Sequence, residues 1–306
     1  MHKLGRYLLL DRLGAGSFAT VWKAYDPELD TEVAVKVLAE NWAANADVRE
    51  RFLTEARLLR RIADPRVVRV HDVGVQEDRP YFVMDYVRGG TLADRVGQCD
   101  PEEALRLAAE AGHAVQVLHD AGVVHRDVKP SNLLLTAGPG PAAVLVADLG
   151  SAKQLADASG LTVTTGTPAY MAPEQAFQTG GLDGRADVYA LAVVAYELLT
   201  GQKPFGPGGR ATALLTDLPT AATLPALPAD ADLPPNIALL LRTAMSVDPA
   251  DRPPTARAFA DALLSPPSPP PPHPEARTPG RLTPRALALA SGAVFAATTL
   301  LSWLLR

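Results

Sequence analysis

Residues 123–132 read VVHRDVKPSN, two valines followed closely by a histidine, an arginine, an aspartate, a lysine and an asparagine. Taken alone, such a decapeptide is a polar turn at the end of a buried segment. Its surroundings give it more. Asp127 and Asn132 stand five apart in a loop, and sixteen residues after Asn132 the run AVLVADLG presents Asp148 at the end of an apolar strand. A carboxylate and an amide oxygen are hard ligands suited to Mg²⁺, whereas a separate carboxylate can accept a hydroxyl proton.

Upstream, LGAGSFATV places Gly14 and Gly16 in a turn between strand-like runs, where missing side chains let backbone N–H groups approach a phosphate. Fifteen residues after Val21 the run VAVK puts Lys36 on a strand, and Glu55 lies in the helix that follows. Each feature alone is ordinary: a hairpin turn, a snorkelling lysine, a helix acid that could serve as an ion-pair partner. Together they form a set. Phosphoryl transfer from a nucleotide needs a phosphate cradle, a cation on the phosphates, metal ligands and a base that orients the nucleophile, and this order of residues supplies all of them.

The flanking pattern divides the chain. YLLLDRLGAGSFATVWKAYD, TEVAVKVLA, VVRVHDVGVQ and RPYFVMDYV read as strands. Between the second and third, DVRERFLTEARLLRRIA sets Val48, Phe52, Ala56 and Leu59 at helical spacing. After GGTLADRV the long segments PEEALRLAAEAGHAVQVLHDAG and DVYALAVVAYELLTG have helical period and composition. Strands first and helices later predict an α+β protein in two parts, with a ligand cleft between them.

The 306 residues are 47% hydrophobic, enough for a sizeable core. A net charge of −5 gives no electrostatic case for nucleic acid as a partner. Cys99 is the sole cysteine, which excludes an intrachain disulfide or a cysteine zinc cluster and fits a reducing compartment. The opening residues carry only a four-residue apolar run, too short for a signal peptide.

The C-terminal stretch differs in kind. Residues 265–285 contain nine prolines and read as a semi-rigid spacer. Residues 286–305, ALALASGAVFAATTLLSWLL, are twenty uncharged residues, about 30 Å as a helix and enough to span a bilayer core. Residues 265–306 carry four arginines against one glutamate, net +3, so of the total −5 the first 264 residues carry −8. Arg277, Arg281 and Arg285 precede the apolar segment and only Arg306 follows it, which predicts a single-pass membrane protein with its folded part cytoplasmic. Ala288, Gly292 and Ala296 form a small-residue ladder through which two helices could approach, so a homodimer is one expectation.

The ordered motif set resembles the eukaryotic-type serine/threonine protein kinases of bacteria, over residues 7–264. That resemblance implies a bilobal fold: a small β-rich lobe with one helix and a larger helical lobe. Carried over by motif, Gly14 and Gly16 would cover the phosphates of ATP, Lys36 hold the α- and β-phosphates, and Glu55 pair with Lys36. Asp127 would be the catalytic base, Lys129 a γ-phosphate contact, and Asn132 with Asp148 the ligands of Mg²⁺, with Mn²⁺ as a substitute. Leu13, Val21, Ala34, Met84 and Leu134 would enclose adenine, with the backbone at Asp85 and Val87 as its hinge. Protein substrates would place their hydroxyl near Thr167. Thr162, Thr164 and Thr165 would be phosphosites, with Arg126 receiving the added phosphate. Glu174 and Arg252 would form a structural ion pair.

Three positions depart from the family pattern: Ala19 for a third glycine, Leu149 for the phenylalanine of DFG, and Ala192 for a helix glycine. None removes a catalytic group. A pseudokinase scaffold and a small-molecule phosphotransferase are the rival readings. ATP turnover separates the first from a kinase, and the identity of the phosphate acceptor separates the second.

Overall fold

The computed structural model describes residues 3–149, 168–177, 183–205 and 234–265. Thr162, Thr164, Thr165, Thr167, the proline-rich stretch beyond Ser265 and the apolar segment 286–305 lie outside the described residues.

The first part is a six-stranded antiparallel sheet in the order β1-β2-β3-β4-β6-β5. Its strands are β1 (Lys3–Leu4), β2 (Tyr7–Ala15), β3 (Ala19–Asp26), β4 (Thr31–Leu38), β5 (Val70–Gln76) and β6 (Arg79–Asp85). Side chains alternate between faces with period two, and β4 shows what that alternation achieves. Val33, Val35 and Val37 join Tyr7, Tyr81 and Val83 in a cluster on one face, while Ala34 and Leu38 join the main core on the other. Lys36 shares the second face and pairs in register with Phe82 of β6, and Ala34 pairs with Met84. A slip of one residue would turn Lys36 away from the cleft.

Two helices follow β4: the short α1 (Glu40–Ala43) and then α2 (Ala46–Arg61). The sequence pattern predicts one helix here, and α1 is an addition to it. A single turn carries too few residues for periodicity to register. Asn45 caps α2 by accepting the Val48 N–H at 3.0 Å. Val48, Phe52, Ala56 and Leu59 are buried as their spacing predicts, and so is Glu55. Phe52 meets Phe82 of the sheet with ring centroids 5.0 Å apart. Burial of such a ring contributes about 1.5–3 kcal/mol, which seats α2 and with it Glu55.

The second part is helical. α3 (Pro101–Asp120) begins with Asp100 as cap, accepting the Glu103 N–H at 2.9 Å, and with Pro101 in its first turn. After it, β7 (Leu133–Leu135) and β8 (Val144–Val146) form a small antiparallel pair. Then come α4 (Pro173–Phe177), α5 (Arg185–Thr200), α6 (Pro235–Ala244) and α7 (Ala256–Leu264). Every residue of α5 from Ala186 to Leu198 is buried, so this helix is enclosed on all sides, and Ala192, a good helix former, fits in it readily. Gly112 of α3 lets α7 approach closely: a Cβ there would lie 2.9 Å from that of Ala260.

Candidate active site

A cleft of about 640 Å³ is lined by Leu13, Gly14, Gly16, Val21, Ala34, Lys36, Met84, Asp85, Val87 and Leu134, all ten of the positions that the kinase resemblance assigns to a nucleotide. Glu55, Lys129, Asn132 and Asp148 line it too. Two walls come from the sheet, because β4 and β6 present alternate residues inward. The opposite wall comes from the β7–β8 pair. Its register sets Leu133 opposite Val146, and the Ala147 N–H donates to the Asn132 carbonyl at 3.0 Å. That pairing sets Asn132 against Ala147, the neighbour of Asp148, and both Asn132 and Asp148 line the cleft although sixteen positions separate them.

Lys36 is 6% exposed. Its ammonium donates to Glu55 Oε1 at 2.7 Å and to Asp148 Oδ1. Burial pulls its pKa down, but the Asp148 and Glu55 carboxylates outweigh burial, and the net shift is well above the ordinary lysine range. Lys36 is therefore cationic at any working pH.

Asp127 is held on the same side of the cleft as Asn132. Asn132 Nδ2 donates to the Asp127 carbonyl at 2.9 Å and to its Oδ2 at 3.0 Å, and Lys129 Nζ lies 3.0 Å from the same Oδ2. Since the Asn132 amide nitrogen is committed to Asp127, its Oδ1 is the atom available to a cation. The Asn132 amide and the Asp148 carboxylate are hard oxygen donors, which suits Mg²⁺. Among the described residues no group of three or more His, Cys, Asp or Glu side chains gathers as a metal cage. Two protein ligands match an ion that takes its remaining ligands from phosphates and water.

Two backbone features mark this wall. Asp148 has φ 61° and Arg126 φ 66°, a left-handed conformation rare for residues other than glycine and characteristic of functional sites. His125 accepts the Asp127 N–H on Nδ1 at 3.2 Å and donates from Nε2 to the Ala147 carbonyl at 3.2 Å, which assigns the tautomer and ties the loop to β8. Buried Asp187, in the first turn of α5, accepts the N–H groups of His125 at 2.7 Å and Arg126 at 2.8 Å, and bonds His119 Nε2 at 2.8 Å. Sequence reasoning missed Asp187. The available signal was an acid inside the otherwise buried run ADVYALAVV, because a carboxylate in such a place needs donors.

The glycine turn is more modest than its motif. Gly14 faces open space where a side chain would stand, but the Gly16 N–H is engaged with the Ala19 carbonyl at 2.9 Å. Ala19 has no positive φ, so no glycine is required there. Leu149 is buried in the main core, where any apolar side chain of suitable size can serve.

Comparison with known proteins agrees with this geometry. The protein kinase domain family matches residues 7–264. The chain belongs to the protein kinase family. It is 36% identical over 302 residues to the serine/threonine-protein kinase PknA of Mycobacterium tuberculosis, covering 92% of this chain and 67% of that one. To PknB of Mycobacterium leprae it is 41% identical over 214 residues, 67% of this chain and only 34% of that protein. Among solved structures, a mutant of the PknI kinase domain of Mycobacterium tuberculosis is similar with a TM-score of 0.66 at 30% identity, covering 86% of this chain and 96% of that one.

In this kinase Arg252 is buried beneath Glu174, with two parallel bonds of 2.7 Å between them. It also donates to the carbonyls of Ser246, Arg185 and Val247. Glu174→Gln should lower stability by about 3 kcal/mol, the low end for breaking a buried pair, because those three bonds remain. Urea unfolding of the two proteins measures the difference, and equal midpoints would contradict a buried ion pair.

Proposed function

We propose that this kinase transfers the γ-phosphate of ATP to serine and threonine hydroxyls of proteins through Asp127. One observation carries the reading: Lys129 and Asn132, both bonded to Asp127, line the cleft that also holds the Lys36–Glu55 pair and Asp148. The substrate hydroxyl oxygen attacks the γ-phosphorus as the bond to the β-phosphate oxygen breaks, and its proton passes to Asp127. Lys36 binds the α- and β-phosphates, and Lys129 stands beside Asp127 to meet the transferring group. Asn132 and Asp148 would hold Mg²⁺, or Mn²⁺ in its place, and the chemistry such an ion would supply is neutralisation of phosphate charge. A pseudokinase would have no use for all four of Lys36, Asp127, Asn132 and Asp148. Relatives named as protein kinases weigh against a small-molecule acceptor.

Autophosphorylation belongs to this reading. Thr162, Thr164 and Thr165 precede Thr167, beside which the substrate hydroxyl is placed, and Arg126 is the cation to receive a new phosphate. Mass spectrometry of active protein should find phosphate within residues 162–165, and replacing all three threonines by alanine should lower activity toward other proteins. An unmodified stretch in fully active protein would refute this.

Residues 286–305 serve as a membrane helix that leaves the kinase domain in the cytoplasm. Support comes from their length, their lack of charge and the arginines before them. Among the described residues no helix is long and apolar enough to cross a membrane. The full chain should sediment with membranes, and truncation after Leu264 should yield a soluble, active kinase. Recovery of the full chain from the soluble fraction without detergent would overturn the anchor. The ladder Ala288, Gly292 and Ala296 favours pairing of two such helices, and membrane confinement would speed autophosphorylation through local concentration.

A further inference from the structure

Arg126 immediately precedes the proposed base, and its φ of 66° is one that persists only where the surroundings over-determine it. Two side chains do so from opposite sides. Asp187 accepts the Arg126 N–H at 2.8 Å, and Gln175 Nε2 donates to the Arg126 carbonyl at 2.7 Å. Because the accepting atom is a carbonyl oxygen, only the NH₂ of the Gln175 amide can face it.

That carbonyl belongs to the peptide unit joining Arg126 to Asp127, and the N–H of the same unit donates to His125 Nδ1. Rotation of this unit would carry Asp127 with it. Gln175 stands in α4 next to Glu174, whose carboxylate is locked to Arg252. The geometry points to Gln175 as a positioning residue for the base: it makes the aim of Asp127 conditional on the seating of α4. This rests on the kinase reading above. Asp187 clamps the loop from the long buried helix, a permanent part of the core. Gln175 clamps it from the five-residue α4, which begins eight residues after Thr165 in sequence, so the second clamp comes from a separate and much shorter helix.

Steady-state kinetics of the full chain in detergent, with ATP, Mg²⁺ and a protein substrate, test this on three variants. Gln175→Ala removes the donor, Gln175→Glu sets an oxygen against the carbonyl, and Gln175→Lys restores a donor. The first two should lower kcat about 10- to 100-fold, as misplacement of a reacting group does, with the KM for ATP unchanged. Gln175→Lys should recover most of the loss. Melting with and without ATP and Mg²⁺ shows that each variant is folded and binds nucleotide. Wild-type kcat in the Ala and Glu variants would overturn the role, as would a loss carried in KM or a Lys variant no better than Ala. Absence of transfer by the wild type would instead sink the kinase reading itself.

Discussion

Asp127→Asn should fold and bind ATP like the wild type while transferring phosphate about 10²- to 10⁴-fold more slowly, the range that general-base catalysis supplies. The substitution keeps the shape of the side chain and an oxygen able to accept from Asn132 Nδ2, whose second bond is to the Asp127 backbone carbonyl and is untouched. What disappears is the negative charge beside Lys129 Nζ and the site for the hydroxyl proton. Single-turnover assays at saturating ATP isolate that step. Wild-type rates in the purified variant would remove Asp127 from the mechanism.

Lys36→Met should cost about 10²- to 10³-fold in transfer, the effect of removing one preorganised electrostatic contact. It also leaves Glu55, 1% exposed, without the cation beside it, so stability should fall as well. The double variant Lys36→Met with Glu55→Gln distinguishes the two losses: it should regain stability and remain inactive. A double variant with restored activity would show that Lys36 acts only as the partner of Glu55. The raised pKa of Lys36 also fixes a sign. Stability from such a group is fully present below the pKa it has in the unfolded chain and is lost as pH rises through the folded value. Both lie far above neutrality, so any change of rate near neutral pH arises from another group.

Much of this site was legible in one dimension because its parts lie on short, strongly patterned segments. Lys36 follows a valine–alanine–valine alternation that sets which face it takes, and Glu55 falls one turn after Phe52 on a helix whose buried stripe is plain. Strands preceding helices indicated an α+β protein in two parts, and the resemblance to kinases implied its bilobal fold. The strand β8 was legible as the apolar run before Asp148, but three-residue β7 was not, since that length carries no period, yet its pairing with β8 sets Asn132 against Ala147, next to Asp148. Asp187 and Gln175 escaped for another reason. Each acts on the backbone of residues some fifty to sixty positions away, a relation that only the folded chain discloses. The engaged N–H of Gly16 likewise shows that a glycine motif marks room for a phosphate without fixing which amide will hold it.

The most direct test is transfer itself. Purified full-length protein is incubated with Mg²⁺ and ATP labelled at the γ-phosphate, alone and with a protein acceptor, and the labelled protein is hydrolysed to its amino acids. The account predicts label in phosphothreonine and phosphoserine for the wild type and almost none for Asp127→Asn. Label confined to free phosphate or a small molecule, or equal labelling by the Asp127→Asn protein, would contradict it.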